Sequence, residues 1–176
     1  MINLKSKIRT VPNWPKPGIM FRDITTLLKD AKAFKEVLDL FEARYEKIKI
    51  DKIAGIESRG FIIGAALADR LRVGFAPIRK KGKLPAKTIF EEYELEYGTD
   101  KIEMHADAIE NGEGVLLVDD LIATGGTALA ACNLIKKAGG EVVECAFVID
   151  LPDLKGSKKL AGKKIKVFSL MEFLGE

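Results

Sequence analysis

Between Val115 and Thr127 the chain reads Val-Leu-Leu-Val-Asp-Asp-Leu-Ile-Ala-Thr-Gly-Gly-Thr, and this stretch constrains the fold more than any other. The unbroken apolar run Val115–Val118 suits a strand buried on both faces, as in a parallel sheet covered by helices. Asp119 and Asp120 are expected where that strand meets water. Ala123-Thr124-Gly125-Gly126-Thr127 then forms a tight turn into a helical pattern, Ala128 to Ala138. The first N–H groups of a helix lack intrahelical partners and sit at the positive end of its dipole, so they attract a phosphate. Glycines let the backbone approach closely, and Thr124 and Thr127 add hydroxyl donors. Successive strand side chains point to opposite faces, so the two carboxylates are expected to do different jobs. A sugar diol or a metal-bound diphosphate is a natural partner for them. Two common phosphate loops are excluded, because neither Gly-x-x-x-x-Gly-Lys-Ser/Thr nor Gly-x-Gly-x-x-Gly after a strand occurs.

The same strand–loop–helix logic recurs upstream. Ile50 to Ile56 reads as a strand, Glu57-Ser58-Arg59-Gly60 as its terminal loop, and Phe61 to Leu71 as a helix, which makes a second anion site with an arginine able to grip a phosphate through two N–H groups. Gly74 to Ile78 is a further short strand, and it runs into a loop with five cations between Arg79 and Lys87, suited to a polyanionic substrate. Residues 31–48 carry an apolar face at helical spacing, with Asp30 as N-cap. Residues 88–105 read as a charged two-stranded flap closed by a turn at Gly98, of the kind that can act as a lid. Residues 1–30 show no long periodic element: Ile2, Leu4 and Ile8 suit one turn of a short helix, Pro12, Pro15 and Pro17 force extended or turn conformations, and Pro17–Leu28 is an irregular segment with Phe21 and an Arg22-Asp23 pair. Glu141–Asp150 and Ile165–Leu170 are the last strands, joined by a loop or short helix. Alternating strands and helices predict an α/β fold, a central parallel sheet flanked by helices, with ligands at the carboxyl ends of the strands.

Composition removes several function classes. A length of 176 residues is that of one domain with a single real core. With 47% apolar and 31% charged residues the chain reads as a soluble globular protein, and no apolar run is long enough to span a membrane. A net charge of +3 is too small to argue for nucleic acid. No signal-peptide core is seen at the N-terminus. Cys132 and Cys145 fit no metal spacing and are expected as reduced core residues, one on a helix and one on a strand, of a cytoplasmic protein. The lone His105 is assigned no role.

The run Val118-Asp119-Asp120 through Thr124-Gly125-Gly126-Thr127 resembles the phosphoribosyl pyrophosphate (PRPP) signature of the type I phosphoribosyltransferases. Four further stretches are similar to the members of that family that act on adenine. Pro17-Gly18-Ile19-Met20-Phe21-Arg22-Asp23-Ile24-Thr25 resembles their base-binding hood (residues 1–30), which implies that Met20, Phe21 and Arg22 surround adenine, with Phe21 stacked on the ring. Glu57-Ser58-Arg59-Gly60-Phe61 resembles their pyrophosphate loop, which carries a cis peptide just before the residue matching Ser58. Arg79-Lys80-Lys81-Gly82-Lys83-Leu84-Pro85 resembles their basic loop, implying Arg79, Lys80 and Lys83 as phosphate ligands. Tyr93-Glu94-Leu95-Glu96-Tyr97-Gly98 resembles their lid, implying that Glu96 handles a proton near adenine N7 and that Tyr97 covers the site. Leu151 matches a residue lining the adenine pocket.

The resemblance thus implies one phosphoribosyltransferase domain spanning residues 1–176 that makes AMP and pyrophosphate from adenine and PRPP. Ala123, Thr124, Gly125, Gly126 and Thr127 would hold the 5′-phosphate, and Asp119 and Asp120 the ribose hydroxyls, directly or through Mg²⁺. The metal would be carried by the diphosphate rather than by a protein cage. A homodimer is implied as well. Two other readings stay open at the level of sequence: the same chemistry on hypoxanthine, guanine or xanthine, and a PRPP sensor that regulates transcription. The sensor reading calls for a DNA-binding module ahead of the core, and the first 48 residues show no helix-turn-helix pattern.

Overall fold

A computed structural model describes residues 2–94 and 98–175. Seven strands form one mixed sheet: β3 (Lys52–Ile56), β4 (Gly74–Lys80), β5 (Thr88–Glu94), β6 (Thr99–His105), β7 (Gly114–Ile122), β8 (Glu141–Asp150) and β9 (Val167–Glu172). Their spatial order is β5-β6-β4-β3-β7-β8-β9. From β4 through β9 neighbouring strands run parallel, whereas β6 pairs antiparallel with both β4 and β5. A separate antiparallel pair, β1 (Arg9–Pro12) and β2 (Met20–Asp23), lies near the N-terminus.

Helices cover both faces, and the side-chain alternation of β7 shows how. Leu116 and Val118 enter one core with Val37, Phe41, Ile63 and Leu67, from α2 (Ala31–Tyr45) and α3 (Arg59–Leu71). Val115 and Leu117 enter the other core with Ala131, Leu134 and Ile135 of α4 (Gly126–Lys137). Burial on both faces is the reason the sequence shows a continuous apolar run here instead of alternation. Asp30 caps α2 as expected, its carboxylate accepting from the amides of Lys32 and Ala33. Cys132 and Cys145 are both buried, on α4 and β8, with their Sγ atoms 3.4 Å apart. Among the described residues no helix is long and apolar enough to cross a membrane.

Several boundaries differ from the sequence expectation, each for a reason of pairing. β7 does not stop at Val118. It outruns its β3 partner there but stays hydrogen-bonded to β8 as far as the Ile122–Asp150 pair, so Asp119 and Asp120 lie within the strand. Asp120 is buried rather than wetted. β4 likewise continues through Arg79 and Lys80, which pair with Glu103 and Ile102 of β6. The expected flap is therefore continuous with the sheet, forming its antiparallel edge. Helix α3 starts at Arg59, which places that arginine in the first turn rather than in the loop. The stretch before residue 30, expected to be irregular, contains β2 and a single turn of helix, α1 (Thr25–Leu28), because Met20–Asp23 finds a partner in Arg9–Pro12. After β8 come a 3-10 turn (Pro152–Leu154) and the short helix α5 (Gly156–Ala161).

Candidate active site

The carboxyl ends of β3, β4 and β7 open into one cleft of about 300 Å³. Residues 119–128 line it together with Ile56, Glu57, Arg59, Lys80 and Tyr93. A larger but shallow hollow of about 580 Å³ lies beside Ser6–Arg9. There Lys7 is paired with Asp30 at 2.7 Å and Arg9 with Asp23.

The turn Ala123–Thr127 has the form expected of a phosphate cradle. Gly125 adopts φ +75°, which an L side chain rarely tolerates, and α4 begins at Gly126 with no side-chain cap on its first amides. The turn is braced from below. A Cβ at Gly125 would stand 2.9 Å from the carbonyl oxygen of Gly156, and one at Gly156 would stand 2.3 Å from that of Ala123. Backbone thus rests directly on backbone, with no space for a side chain at either glycine.

The two carboxylates do part company. Asp120 is buried and accepts a 2.5 Å hydrogen bond from Arg59 Nε. Burial works against the charge on Arg59, but Asp120 more than restores it and the guanidinium is held firmly protonated. Asp119 Oδ1 accepts from the Asp120 amide at 2.8 Å. Burial first, and the charge of Asp120 second, push the Asp119 carboxyl well above the usual carboxylate range. The start of α3 presses on this point: a Cβ at Gly60 would lie 2.7 Å from the Val118 carbonyl and 2.9 Å from Asp119 Oδ1. Arg59 reaches Asp120 because only glycine follows it. The Glu57–Ser58 peptide is cis.

The basic residues converge on Glu57. Arg79 donates to its carboxylate at 3.1 and 3.3 Å, Lys83 Nζ at 2.9 Å and the Lys80 amide at 3.2 Å. The bond from Arg79, reinforced by Lys83 and the Lys80 amide, lowers the Glu57 carboxyl to about 2. Lys80 itself turns to Asp100 at 3.2 Å, and Asp100 also accepts from the Tyr93 hydroxyl at 3.3 Å. Arg79, Lys80 and Lys83 are therefore gathered in one place.

The residues expected to meet a base stand at the margin. None of Met20, Phe21, Arg22 and Leu151 forms part of the described cleft wall, nor does Ser58. Phe21 is nevertheless tied to it, since the Arg59 guanidinium lies 5.9 Å from its ring centre. Trp14 packs edge-on against Phe21, with centroids 4.4 Å apart. Arg22 Nη1 donates to Thr10 Oγ1 at 2.7 Å, and its guanidinium lies 4.7 Å over the Phe173 ring. Leu151 is buried, its amide bonded to the Ile122 carbonyl, which joins the end of β8 to the end of β7. Glu96 and Tyr97 lie outside the described residues. His105 takes no part in the cleft wall.

Sequence reasoning missed four contributors. Tyr93 and Asp100 face each other across the β5–β6 pair, and a register no local pattern fixes places them beside Lys80. Glu103 lies between the buried Ile102 and Met104 and is itself buried. A charged residue within an apolar strand segment was the available signal for it. Gly156 gave none.

Comparison with known proteins agrees with this geometry. Residues 23–171 match the family model described as "Phosphoribosyl transferase domain". The chain is 61% identical over 175 residues to an adenine phosphoribosyltransferase of Desulfosudis oleivorans, covering 99% of this chain and 100% of the relative. Among solved structures it is similar to an adenine phosphoribosyltransferase of Thermoanaerobacter pseudethanolicus, with TM-score 0.93, 50% identity and 97% and 98% of the two chains covered. It is also similar to that of Saccharomyces cerevisiae, solved with D-2,5-dideoxy-2,5-imino-altritol 1,6-bisphosphate and adenine, with TM-score 0.90, 42% identity and 96% of each chain covered.

Proposed function

The chain belongs to the adenine phosphoribosyltransferases, and from this we infer that it transfers the 5-phosphoribosyl group of PRPP to adenine, giving AMP and pyrophosphate in purine salvage. The observation that carries the reading is the cleft at the end of β7, where an amide-lined turn, two carboxylates and Arg59 meet.

In this reading the amides of Thr124–Thr127 hold the 5′-phosphate, and Gly125 lets the turn close around it. Asp119 takes the ribose hydroxyls, while Asp120 acts largely through Arg59, which it holds toward the leaving pyrophosphate. Arg79, Lys80 and Lys83 neutralise the rest of that group as the C1′–oxygen bond breaks. The N9–C1′ bond forms at a centre with oxocarbenium character, comparable to other glycosidic reactions. Adenine gives up one ring proton in the process, and Glu96 is assigned that proton at N7, with Tyr97 closing over the site. Phe21, aligned by Trp14 and Arg59, is the stacking surface for the base, with Met20, Arg22 and Leu151 around it. No nucleophile on the protein is required, and placement and exclusion of water supply the rate.

Mg²⁺ fits this donor set only as a companion of the substrate. Among the described residues no group of three or more His, Cys, Asp or Glu side chains could hold a metal. One carboxylate beside a diphosphate is, however, the usual environment of Mg²⁺, and Asp119 with Asp120 behind it provides that. Bound there, the ion would offset the negative charge that develops on the pyrophosphate. The working form is proposed as a cytoplasmic homodimer.

The test is pyrophosphate release by the purified protein with Mg²⁺ and PRPP, each of adenine, hypoxanthine, guanine and xanthine being supplied separately. Release with adenine alone is expected. Release with another base in its place would overturn the base assignment while keeping the phosphate site. Silence with every base, while PRPP still raised the melting temperature, would favour a sensor.

A further inference from the structure

The loop after β4 is held from beneath by a residue that the reaction scheme does not use. The amides of Gly82, Lys83 and Leu84 all donate to a single atom, Glu103 Oε1, at 2.9, 3.1 and 3.2 Å. The other carboxylate oxygen, Oε2, accepts from the Thr88 hydroxyl at 3.4 Å. Glu103 is 4% exposed, on β6 directly opposite Arg79. Successive amides converging on one point make a concavity for an anion. Here that concavity is filled from within the chain, so the loop's backbone is committed before any substrate arrives.

This division of labour has a consequence for the cations. With the amides of Gly82–Leu84 spent on Glu103, this part of the loop can offer pyrophosphate only side chains, and those of Arg79 and Lys83 meet at Glu57. Two glutamates thus hold the loop, Glu57 through side chains and Glu103 through amides. Arg79 also donates to the Lys83 carbonyl at 3.0 Å, so the position of the Lys83 backbone, set by Glu103, feeds back on the guanidinium. A buried carboxylate accepting four donors is stiff, because moving any one of them gives up a hydrogen bond that water does not replace at a buried oxygen.

We propose that Glu103 is a positioning residue for pyrophosphate recognition: it fixes the Gly82–Leu84 backbone so that Arg79 and Lys83 present a preformed cationic face. The proposal rests on the assignment of that loop to pyrophosphate. It goes beyond that assignment in giving a buried side chain, remote from the reacting atoms, control over affinity for one substrate and not the other.

The test measures binding of PRPP and of pyrophosphate with Mg²⁺ by calorimetry, alongside the KM for adenine and the melting temperature. Glu103→Ala is expected to weaken both phosphate ligands roughly tenfold to a hundredfold, as loss of charge-assisted hydrogen bonds implies, and to leave the adenine KM unchanged. Glu103→Gln keeps an oxygen acceptor for the three amides and is expected to recover most of that affinity. Should Glu103→Ala fail to fold, Glu103→Asp, which keeps the charge but falls short of the loop, is expected to show the same one-sided loss in weaker form. Unchanged PRPP affinity in a folded Glu103→Ala or Glu103→Asp protein would overturn the proposal. So would parallel losses for PRPP and adenine that simply track melting temperature. Lys83→Met separates this from failure of the loop assignment. If Lys83→Met weakens pyrophosphate and the Glu103 variants do not, only the positioning role is wrong. If Lys83→Met leaves pyrophosphate affinity intact, the loop assignment and the proposal fall together.

Discussion

Replacing Gly156 by alanine should damage the turn proposed as the phosphate cradle, some thirty residues earlier in the chain. The backbone of Gly156 is not in the left-handed region, so alanine suits its conformation. The obstacle is space. The added Cβ would stand 2.3 Å from the Ala123 carbonyl oxygen, 2.8 Å from the Gly125 amide nitrogen and 2.8 Å from Ile122 Cγ1, where ordinary contact begins at 3.4 Å. About 1 Å must open between α5 and the turn, and the first two obstacles are backbone that cannot rotate aside. Overpacking of this kind costs about 1–3 kcal/mol, which for a chain of this size lowers Tm by roughly 2–12 °C. The larger effect falls on function, since a displacement of about 1 Å in a positioning group can cost on the order of a hundredfold in rate. Scanning calorimetry and initial rates against PRPP would measure both. Gly162→Ala is the control from the end of the same helix, where the nearest atoms to a new Cβ lie at 3.5 and 3.6 Å, and it should be silent. If Gly156→Ala folded with kcat/KM for PRPP within about threefold of the parent, it would refute the claim that this contact shapes the cradle.

Two further outcomes follow from the charge networks. Because Glu57 is lowered from 4.5 to about 2 in the fold, its ion pairs stabilise the protein above the unfolded value and are lost as pH falls from about 4.5 to 2. The Tm difference between parent and Glu57→Gln should therefore be largest near neutrality and shrink toward pH 2. A difference that stayed constant across that interval would contradict the pairing. Tyr45→Phe removes a buried 2.7 Å bond to Glu144 while leaving the two Arg44 bonds in place. It should cost about 1.5–3 kcal/mol in chemical denaturation and leave kcat and both KM values untouched, since α2 and β8 meet far from the cleft mouth. A kinetic change would show that this network reaches the site.

What could be read from the chain were the features whose causes lie within a few residues. The double-faced burial of Val115–Val118, the Asp30 cap and the glycine-rich turn before α4 depend on near neighbours and stand where the pattern put them, and the helix expected over residues 31–48 starts where expected but ends at Tyr45. Likewise Arg59, Asp119, Asp120 and Thr124–Thr127 were recognisable as one anion-handling set, and they share one cleft. Strand ends were less legible. β7 and β4 outlast the expected boundaries because strand length is decided by what lies alongside, and Asp119 and Arg79 have partners in β8 and β6 that no local periodicity reveals.

The sequence by itself determined the class of fold, the order of strands and helices from α2 onward, and the chemical types gathered at the carboxyl ends of those strands. Tertiary structure alone decided which groups are free to act. It buried Asp120 against Arg59, drew Arg79 and Lys83 onto Glu57, spent the amides of Gly82–Leu84 on Glu103, and set Gly156 beneath Gly125. Each of these is a contact across 19 or more residues of chain. Whether such a contact forms depends on sheet register and helix placement, which the whole core fixes together, and not on the residues that meet.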